Sequence, residues 1–258
     1  MTIFQAIIIG IIQGLTEFLP VSSSGHIELS KAILGVNLDH NLGFSIAVHV
    51  ATVLSTLLVF RKDIIDLLTG FFNFKLNYQT HYVFKLLISA IPVGIVGVLF
   101  KDQIESLFEG NLVVVGAMLL VTAMLLALTR LIKPKATKPI GYIDSIIIGI
   151  AQAAAVMPGL SRSGATISTG LLIGKNRDEV ARFSFLMVII PVLGAAFLDI
   201  VKGDISKVLT APIIAGFIAA FISGFLACSF MLRIVRKGNL YWFAIYCAIM
   251  GIVALIFA

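Results

Sequence analysis

Long apolar stretches follow one another along almost the whole chain, and they limit what it can fold into. A helix needs roughly 20 residues to cross the hydrocarbon core of a bilayer. Six stretches are long enough: residues 42–60, 82–100, 112–131, 183–201, 209–232 and 240–257. Charged residues make up only 12% of the 258 positions, against about a quarter in soluble domains. The sequence therefore predicts an all-α integral membrane protein with six transmembrane helices.

Two further apolar stretches are interrupted instead of continuous. Residues 3–19 lead into Pro20 and a serine cluster, and residues 142–157 lead into Pro158 and a second cluster. Apolar sequence resumes at Ile27 and Ile167. A short helix, a break and another short helix predict a re-entrant hairpin. Broken backbone at membrane depth is tolerated only where protein or a water-filled cavity covers it.

The charged connections predict the orientation of these segments. Basic residues gather in 61–75, 130–138 and 233–237, whereas 101–109 is acidic. Cytoplasmic loops carry an excess of Lys and Arg, which places the basic connections inside. The number of crossings agrees with this placement only if the first hairpin enters from outside and the second from inside. The cations form no continuous stripe, so nucleic acid is not an expected partner.

An internal repeat supports the same arrangement. Residues 6–13 read AIIIGIIQ and residues 145–152 read SIIIGIAQ. The distance from Gln13 to Gly25 equals that from Gln152 to Gly164. We therefore expect one membrane domain built from inverted-topology repeats, approximately 1–134 and 140–258. Such repeats with broken helices place a binding site near the bilayer midplane, at the interface between the halves.

The first break carries a set of polar residues that suits proton or phosphoryl transfer. A carboxylate inside an apolar segment is costly and marks a functional candidate, and a carboxylate can orient and charge an imidazole. Serines there could also be helix caps. Glu17, His26 and Ser23 are the predicted catalytic residues, with Ser22 and Ser24 as substrate contacts. Whether His26, Ser23 or water attacks phosphorus stays open.

The second break reads PGLSRSGAT and suits an anion. Arg162 offers a planar fork that fits two phosphate oxygens. Ser161, Ser163 and Thr166 supply hydroxyl groups, and a helix beginning near Ala165 would add the positive end of its dipole. These residues are predicted to bind the substrate.

His49 lies within the predicted span 42–60, where an ionisable side chain is expensive. Two interpretations are equally compatible with that position. The imidazole could line the functional cavity, or it could satisfy a backbone carbonyl.

The motifs resemble those of the undecaprenyl-pyrophosphate phosphatases of the bacitracin-resistance type. The (Glu/Gln)-x-x-x-Glu motif of that family falls on Gln13 and Glu17, its SS(S/T)GH run on 22–26, and its PGxSRSxxT motif on 158–166. The stretch RFSFL at 182–186 is also similar to the family. Many members have Glu where this chain has Gln13, which weakens any scheme with two carboxylates on one metal.

The resemblance implies hydrolysis of undecaprenyl pyrophosphate to undecaprenyl phosphate, which recycles the carrier lipid for peptidoglycan synthesis and confers bacitracin resistance. It implies a multi-pass protein of the bacterial inner membrane with its site facing outside. It also implies a divalent cation, Mg²⁺ or Ca²⁺, for which Glu17 and Gln13 are the candidate ligands. A homodimer is left open. The alternative function is a transporter or flippase of a phosphorylated polyprenyl lipid, because inverted repeats with facing hairpins are also a transporter architecture.

Overall fold

A computed structural model describes residues 1–34, 42–107, 111–131, 139–202 and 210–258. Within these ranges the chain forms α-helices, one 3-10 turn at Thr129–Leu131, and no β-strand. The helices are α1 (Ile3–Phe18), α2 (Ser23–Leu34), α3 (Leu42–Val59), α4 (Arg61–Phe71), α5 (Tyr78–Leu99), α6 (Lys101–Leu107), α7 (Leu112–Leu128), α8 (Tyr142–Ala154), α9 (Arg162–Leu172), α10 (Arg177–Met187), α11 (Ile189–Lys202), α12 (Ala211–Lys237) and α13 (Tyr241–Ile256). The predicted all-α class is confirmed.

Several of these helices can cross a bilayer. In the described ranges, α5, α7 with its 3-10 turn, and α12 are long and apolar enough to do so alone. Helix α3 qualifies together with α4, from which it is bent by 77°. The chain is thus a multi-pass membrane protein by helix length and hydropathy. The predicted basic connection 130–138 lies mostly outside the described residues.

Two of the six predicted spans differ from the observed helices. The predicted span 183–201 is divided, because α10 ends at Met187 and α11 begins at Ile189. Pro191 explains the position of the break, since a proline ring clashes with the carbonyl four residues earlier, which here belongs to Met187. The predicted span 240–257 is the 16-residue α13, and it is shorter than the roughly 20 residues of a full crossing.

Serine caps start the second helix of each hairpin earlier than the apolar pattern predicted. The hydroxyl of Ser22 accepts from the Gly25 amide at 3.2 Å, and that of Ser161 accepts from the Gly164 amide at 3.1 Å. A side-chain oxygen at this position satisfies a backbone donor that the first turn leaves free. Helix α9 therefore begins at Arg162 and not near Ala165.

Helix α1 packs along α12, and the two helices run in the same direction. A Cβ on Gly10 would meet the backbone of Gly216, and a Cβ on Gly14 would meet the side chain of Ser223. The contacting residue numbers thus increase together along both helices, which shows that the helices are parallel. Glycine is needed at Gly10 because the opposing backbone leaves no space for a side chain.

Helix α8 packs along α5 in the same manner. The hydroxyl of Tyr142 lies 2.6 Å from Nδ1 of His81 near the start of both helices. About two turns further along both helices, a Cβ on Gly149 would meet the backbone of Ser89. These two helices therefore also run in the same direction, so each hairpin packs on a long helix from the other half of the chain.

The two hairpins enter from opposite ends of the molecule. The guanidinium of Arg182, in the middle of α10, lies 5.7 Å from the ring centre of Tyr82 in the early part of α5. Arg236, in the last turn of α12, pairs with Asp178 at the start of α10 at 2.8 Å. The start of α5 thus lies beside the end of α12. Helix α8 runs parallel to α5, and α1 runs parallel to α12. Helices α1 and α8 therefore start at opposite ends of the molecule.

Candidate active site

A cavity of about 440 Å³ lies where the two breaks meet. The first break contributes Glu17, Ser23 and Ser24 to its wall, and the second contributes Ser161 and Arg162. Much of the remaining wall is apolar and comes from α5, the turn after α8 and the α10–α11 region, including Val93, Val156, Val188, Pro191 and Val192. The cavity thus combines a polar end with an apolar surface.

The carboxylate of Glu17 connects the two breaks. Its Oε1 forms an ion pair with the guanidinium of Arg162. Its Oε2 accepts a hydrogen bond from the Ser23 hydroxyl at 2.7 Å and another from Nε2 of Gln13 at 2.9 Å. The Glu17 side chain is only 7% exposed, so its charge is compensated by protein groups and not by bulk water. The structure brings together Gln13, Glu17, Ser23 and Arg162.

Further contacts hold the two breaks against each other. The backbone amide of Gly159 donates to the Ser24 hydroxyl at 3.3 Å. In the opposite sense, the hydroxyl of Ser163 donates to the carbonyl of Leu19 at 3.1 Å. Gly159 has φ +91°, and a side chain there would also meet the backbone of Val115, so this turn requires glycine. The cavity wall is therefore a rigid junction of two loops.

Three hydroxyl residues predicted to bind substrate do not line this cavity. The hydroxyl of Ser22 caps α2, and that of Ser163 is used in the contact with Leu19. The hydroxyl of Thr166 lies 2.6 Å from that of Ser184 and donates to the carbonyl of Arg162 at 2.9 Å. Their positions indicate that they hold the loops in place, whereas Ser161 and Ser24 remain on the cavity wall.

His26 is oriented differently from the sequence-based expectation of an imidazole beside Glu17. Its Nδ1 lies 2.8 Å from the carbonyl of Ser22, and its Nε2 lies 2.6 Å from the hydroxyl of Tyr246. Ser24 and His26 both lie on α2, two residues apart. At 3.6 residues per turn, their side chains therefore point in directions about 200° apart around the helix axis. Both ring nitrogens thus contact groups other than the carboxylate.

Tyr246 is a site residue that the sequence analysis missed. Its ring stacks on the imidazole of His26, with 5.5 Å between the ring centres and 10° between the planes. It lies 220 positions further along the chain, on α13, within a stretch whose only evident signal is apolar character. A tyrosine inside a predicted span was the one available indication, since its hydroxyl needs a partner there.

His49 satisfies both interpretations left open by the sequence. Its side chain borders the cavity. At the same time its Nδ1 lies 2.9 Å from the backbone carbonyl of Ser45, one turn earlier on α3. Since a carbonyl oxygen only accepts hydrogen bonds, Nδ1 carries the proton, and Nε2 is the ring nitrogen left for other contacts.

The donor set for a divalent cation is small. No group of three or more His, Cys, Asp or Glu side chains is found in the part of the chain that the structure describes. Among the described residues, Glu17 provides the one carboxylate on the cavity wall. Oε1 of Gln13 is buried and has no hydrogen-bond partner among the described residues, so it is a free neutral oxygen next to that carboxylate. This set fits a cation that takes most of its ligands from substrate and water, as Mg²⁺ usually does.

Comparison with known proteins identifies the family. The family model described as Bacitracin resistance protein BacA matches residues 6–253. An undecaprenyl-diphosphatase of Bacteroides fragilis is 54% identical over 98% of this chain and 97% of its own length. Proteins of the same name from Parabacteroides distasonis and Methanobrevibacter smithii are 54% and 41% identical, over 99% and 98% of this chain and 98% and 96% of their own lengths. The chain belongs to the bacitracin resistance protein BacA family.

Proposed function

We propose that this chain removes the terminal phosphate of undecaprenyl pyrophosphate and so recycles the carrier lipid for peptidoglycan synthesis. One observation carries the proposal: the Glu17 carboxylate binds both Ser23 of its own break and Arg162 of the other, at the wall of one cavity. The family and the name undecaprenyl-diphosphatase given to its relatives support the same reaction and a role in bacitracin resistance.

Arg162 is the proposed anchor for the pyrophosphate. Its guanidinium can bind two phosphate oxygens at once, and its place in the first turn of α9 adds the positive end of the helix dipole. Without substrate this guanidinium pairs with Glu17. The pyrophosphate carries more negative charge than one carboxylate and replaces it at Arg162. Substrate binding thereby frees Glu17 to accept a proton.

Ser23 is the proposed nucleophile, because its hydroxyl already donates to Glu17. Its Oγ forms a bond to the terminal phosphorus while its proton passes to Glu17. The bond from that phosphorus to the bridging oxygen breaks, and undecaprenyl phosphate leaves with the electron pair and takes the proton from Glu17. Water then attacks the phosphoserine, gives a proton to Glu17, and that proton returns to Ser23 as inorganic phosphate is released.

His26 is proposed to position Ser23, in place of the direct role expected from the sequence. The imidazole and the backbone amide of His26 both contact the carbonyl of Ser22. Ser22 has φ 69°, a left-handed conformation that is uncommon outside glycine. By holding the carbonyl of Ser22, His26 stabilises the turn that directs Ser23 toward Glu17.

A divalent cation, Mg²⁺ or Ca²⁺, would be held by Glu17 and Oε1 of Gln13 together with the pyrophosphate oxygens. When bound, it would neutralise negative charge on the phosphates and make phosphorus easier to attack. The free oxygen of Gln13 supports this assignment. The protein residues alone orient the serine and accept its proton.

The proposed membrane arrangement is six spans and two re-entrant hairpins, formed by inverted repeats at 1–134 and 140–258 in the bacterial inner membrane, with the site open to the outside. The opposite directions of α1 and α8 support it, as do the equivalent serine caps.

Single cysteines at Asp102 and Lys237 test the orientation in intact cells, since the native Cys228 and Cys247 are buried. An impermeant thiol reagent should label position 102 and spare 237; the reverse would invert the arrangement.

Phosphate release by the purified protein in detergent tests the proposed reaction. With undecaprenyl pyrophosphate as substrate, one phosphate should be released for each lipid, and Glu17→Gln and Ser23→Ala should each lower the rate by at least about 100-fold. A lipid transporter would break no bond in the substrate and would release no phosphate in detergent. Release no faster than from Glu17→Gln would therefore overturn the phosphatase and favour lipid transport.

A further inference from the structure

Gln152 lies on α8 at the repeat position equivalent to Gln13. Its side chain is 1% exposed, and it borders the same cavity as Glu17 and Arg162. Both Oε1 and Nε2 of Gln152 lack a hydrogen-bond partner in the part of the chain that the structure describes. Gln13 differs, because its Nε2 donates to Glu17.

The difference between the two glutamines has a simple origin. Four residues after Gln13 stands Glu17, whereas four residues after Gln152 stands Val156. Helix α1 continues to Phe18, so Gln13 and Glu17 share one face of it, whereas α8 ends at Ala154, before Val156. The first amide therefore has a carboxylate to bind, and the second has none at the equivalent position. An amide buried without partners costs free energy, and an apolar side chain of the same shape would avoid that cost.

A buried amide with no hydrogen-bond partner among the described residues, at the wall of a cavity for an anion, indicates that the partner is the ligand. We propose that Gln152 is a substrate-positioning residue whose Nε2 donates to a pyrophosphate oxygen, after its side-chain torsions turn the amide into the cavity. This inference rests on the proposed function and adds a neutral donor to the cavity wall that also contains Glu17 and Ser23. Arg162 supplies the charge, and Gln152 fixes the orientation of the phosphates.

The decisive variant is Gln152→Leu, which removes the amide and keeps an apolar side chain of similar size. Its melting temperature without substrate should equal or exceed that of the wild type, because no protein hydrogen bond is lost. KM for undecaprenyl pyrophosphate in detergent should rise about tenfold or more, the size expected when a hydrogen bond to a charged group is lost. Gln152→Asn keeps an amide on a shorter side chain and should recover part of this loss.

Ser168→Ala is the matched control. The Ser168 hydroxyl is also buried without a hydrogen-bond partner among the described residues, but the residue borders neither described cavity. This variant should keep wild-type KM and stability, since it removes the same kind of polar atom away from the substrate.

Two outcomes would overturn the inference. Wild-type kinetics in Gln152→Leu would mean that the amide does not contact substrate. A lower melting temperature in Gln152→Leu without substrate would mean that the amide serves the fold. The effect of inorganic pyrophosphate on the melting temperature measures its binding. This measurement tests the contact with Gln152 without requiring the reaction to occur. Stabilisation of the wild type but not of Gln152→Leu supports the contact even if no phosphate is released.

Discussion

At the scale of single residues, the contacts of each polar atom in the first break decide which role that atom can take. Nδ1 of His26 faces a carbonyl, which only accepts hydrogen bonds, so Nδ1 carries the proton of the neutral ring. Nε2 therefore accepts from the hydroxyl of Tyr246. The basic nitrogen is occupied before substrate arrives, which suits a residue that positions Ser23 better than one that attacks phosphorus.

Tyr246→Phe tests this role. The variant keeps the stacked ring but loses the hydroxyl, so we expect kcat to fall several-fold, in line with one neutral hydrogen bond worth about 1 kcal/mol, while KM is unchanged. In a His26→Ala background the same substitution should have almost no further effect, since the hydroxyl acts through the imidazole. Steady-state kinetics on the four proteins measure this, and equal losses in both backgrounds would separate Tyr246 from His26.

Most of the residues that meet where the two breaks join could be identified from the sequence, but their contacts could not. Glu17 and Arg162 stood out because charged groups are rare in apolar segments, and the structure pairs them across 145 positions. The capping of α2 by Ser22 decided which way His26 points, and α2 begins four residues before Ile27, where the apolar sequence resumes, so hydropathy alone could not locate its start. Tyr246 could not be assigned, because only the packing of α13 brings it near the first break.

At the scale of helices, each hairpin is held by close contact with a long helix of the other half. Helix α1 approaches α12 at Gly10, and α8 approaches α5 at Gly149. Small residues allow such approach inside a membrane, where van der Waals packing drives helix association. The positions of the two breaks thus depend on glycines that do not themselves line the cavity.

Gly10→Ala should destabilise the protein by about 1–3 kcal/mol, the usual cost of overpacking, because the new methyl group would meet the backbone of Gly216. Thermal unfolding in detergent measures the effect. Gly94→Ala is the control, since a Cβ there has nothing within 4 Å and alanine favours the helix. If Gly10→Ala unfolded at or above the wild-type temperature, the proposed close packing of α1 on α12 would be wrong.

The division of the predicted span 183–201 shows a limit of hydropathy at this scale. Composition identified an apolar stretch, but Pro191 and the packing of α10 divide it at Met187. Val188, Pro191 and Val192 at the division line the cavity. The break that the sequence analysis did not predict therefore contributes part of the surface available to the lipid.

At the scale of the whole molecule, the two breaks meet in one cavity, where the Glu17 carboxylate pairs with the Arg162 guanidinium. Because Glu17 and Arg162 neutralise each other, we expect a divalent cation to bind together with the pyrophosphate and not to the protein alone. A chelator should abolish phosphate release, and Mg²⁺ or Ca²⁺ should restore it, while the melting temperature without substrate should stay the same. A clear fall in that temperature on chelation would indicate a cation site built by the protein itself.

The proposed reaction requires two breaks far apart in the chain to act as one site on one phosphoryl group. A double-mutant cycle of Glu17→Gln and Arg162→Ala on phosphate release tests it most directly. Melting temperatures must be followed in parallel, because removal of one partner from a buried ion pair is destabilising. Groups that act as a unit give strongly non-additive losses.

Each single variant should lose at least about 100-fold in kcat/KM, and substrate binding should survive Glu17→Gln better than Arg162→Ala. The double variant should retain far more activity than the product of the two losses allows. A double variant whose activity equals that product, in folded protein, would mean that Glu17 and Arg162 serve separate sites and would contradict the account.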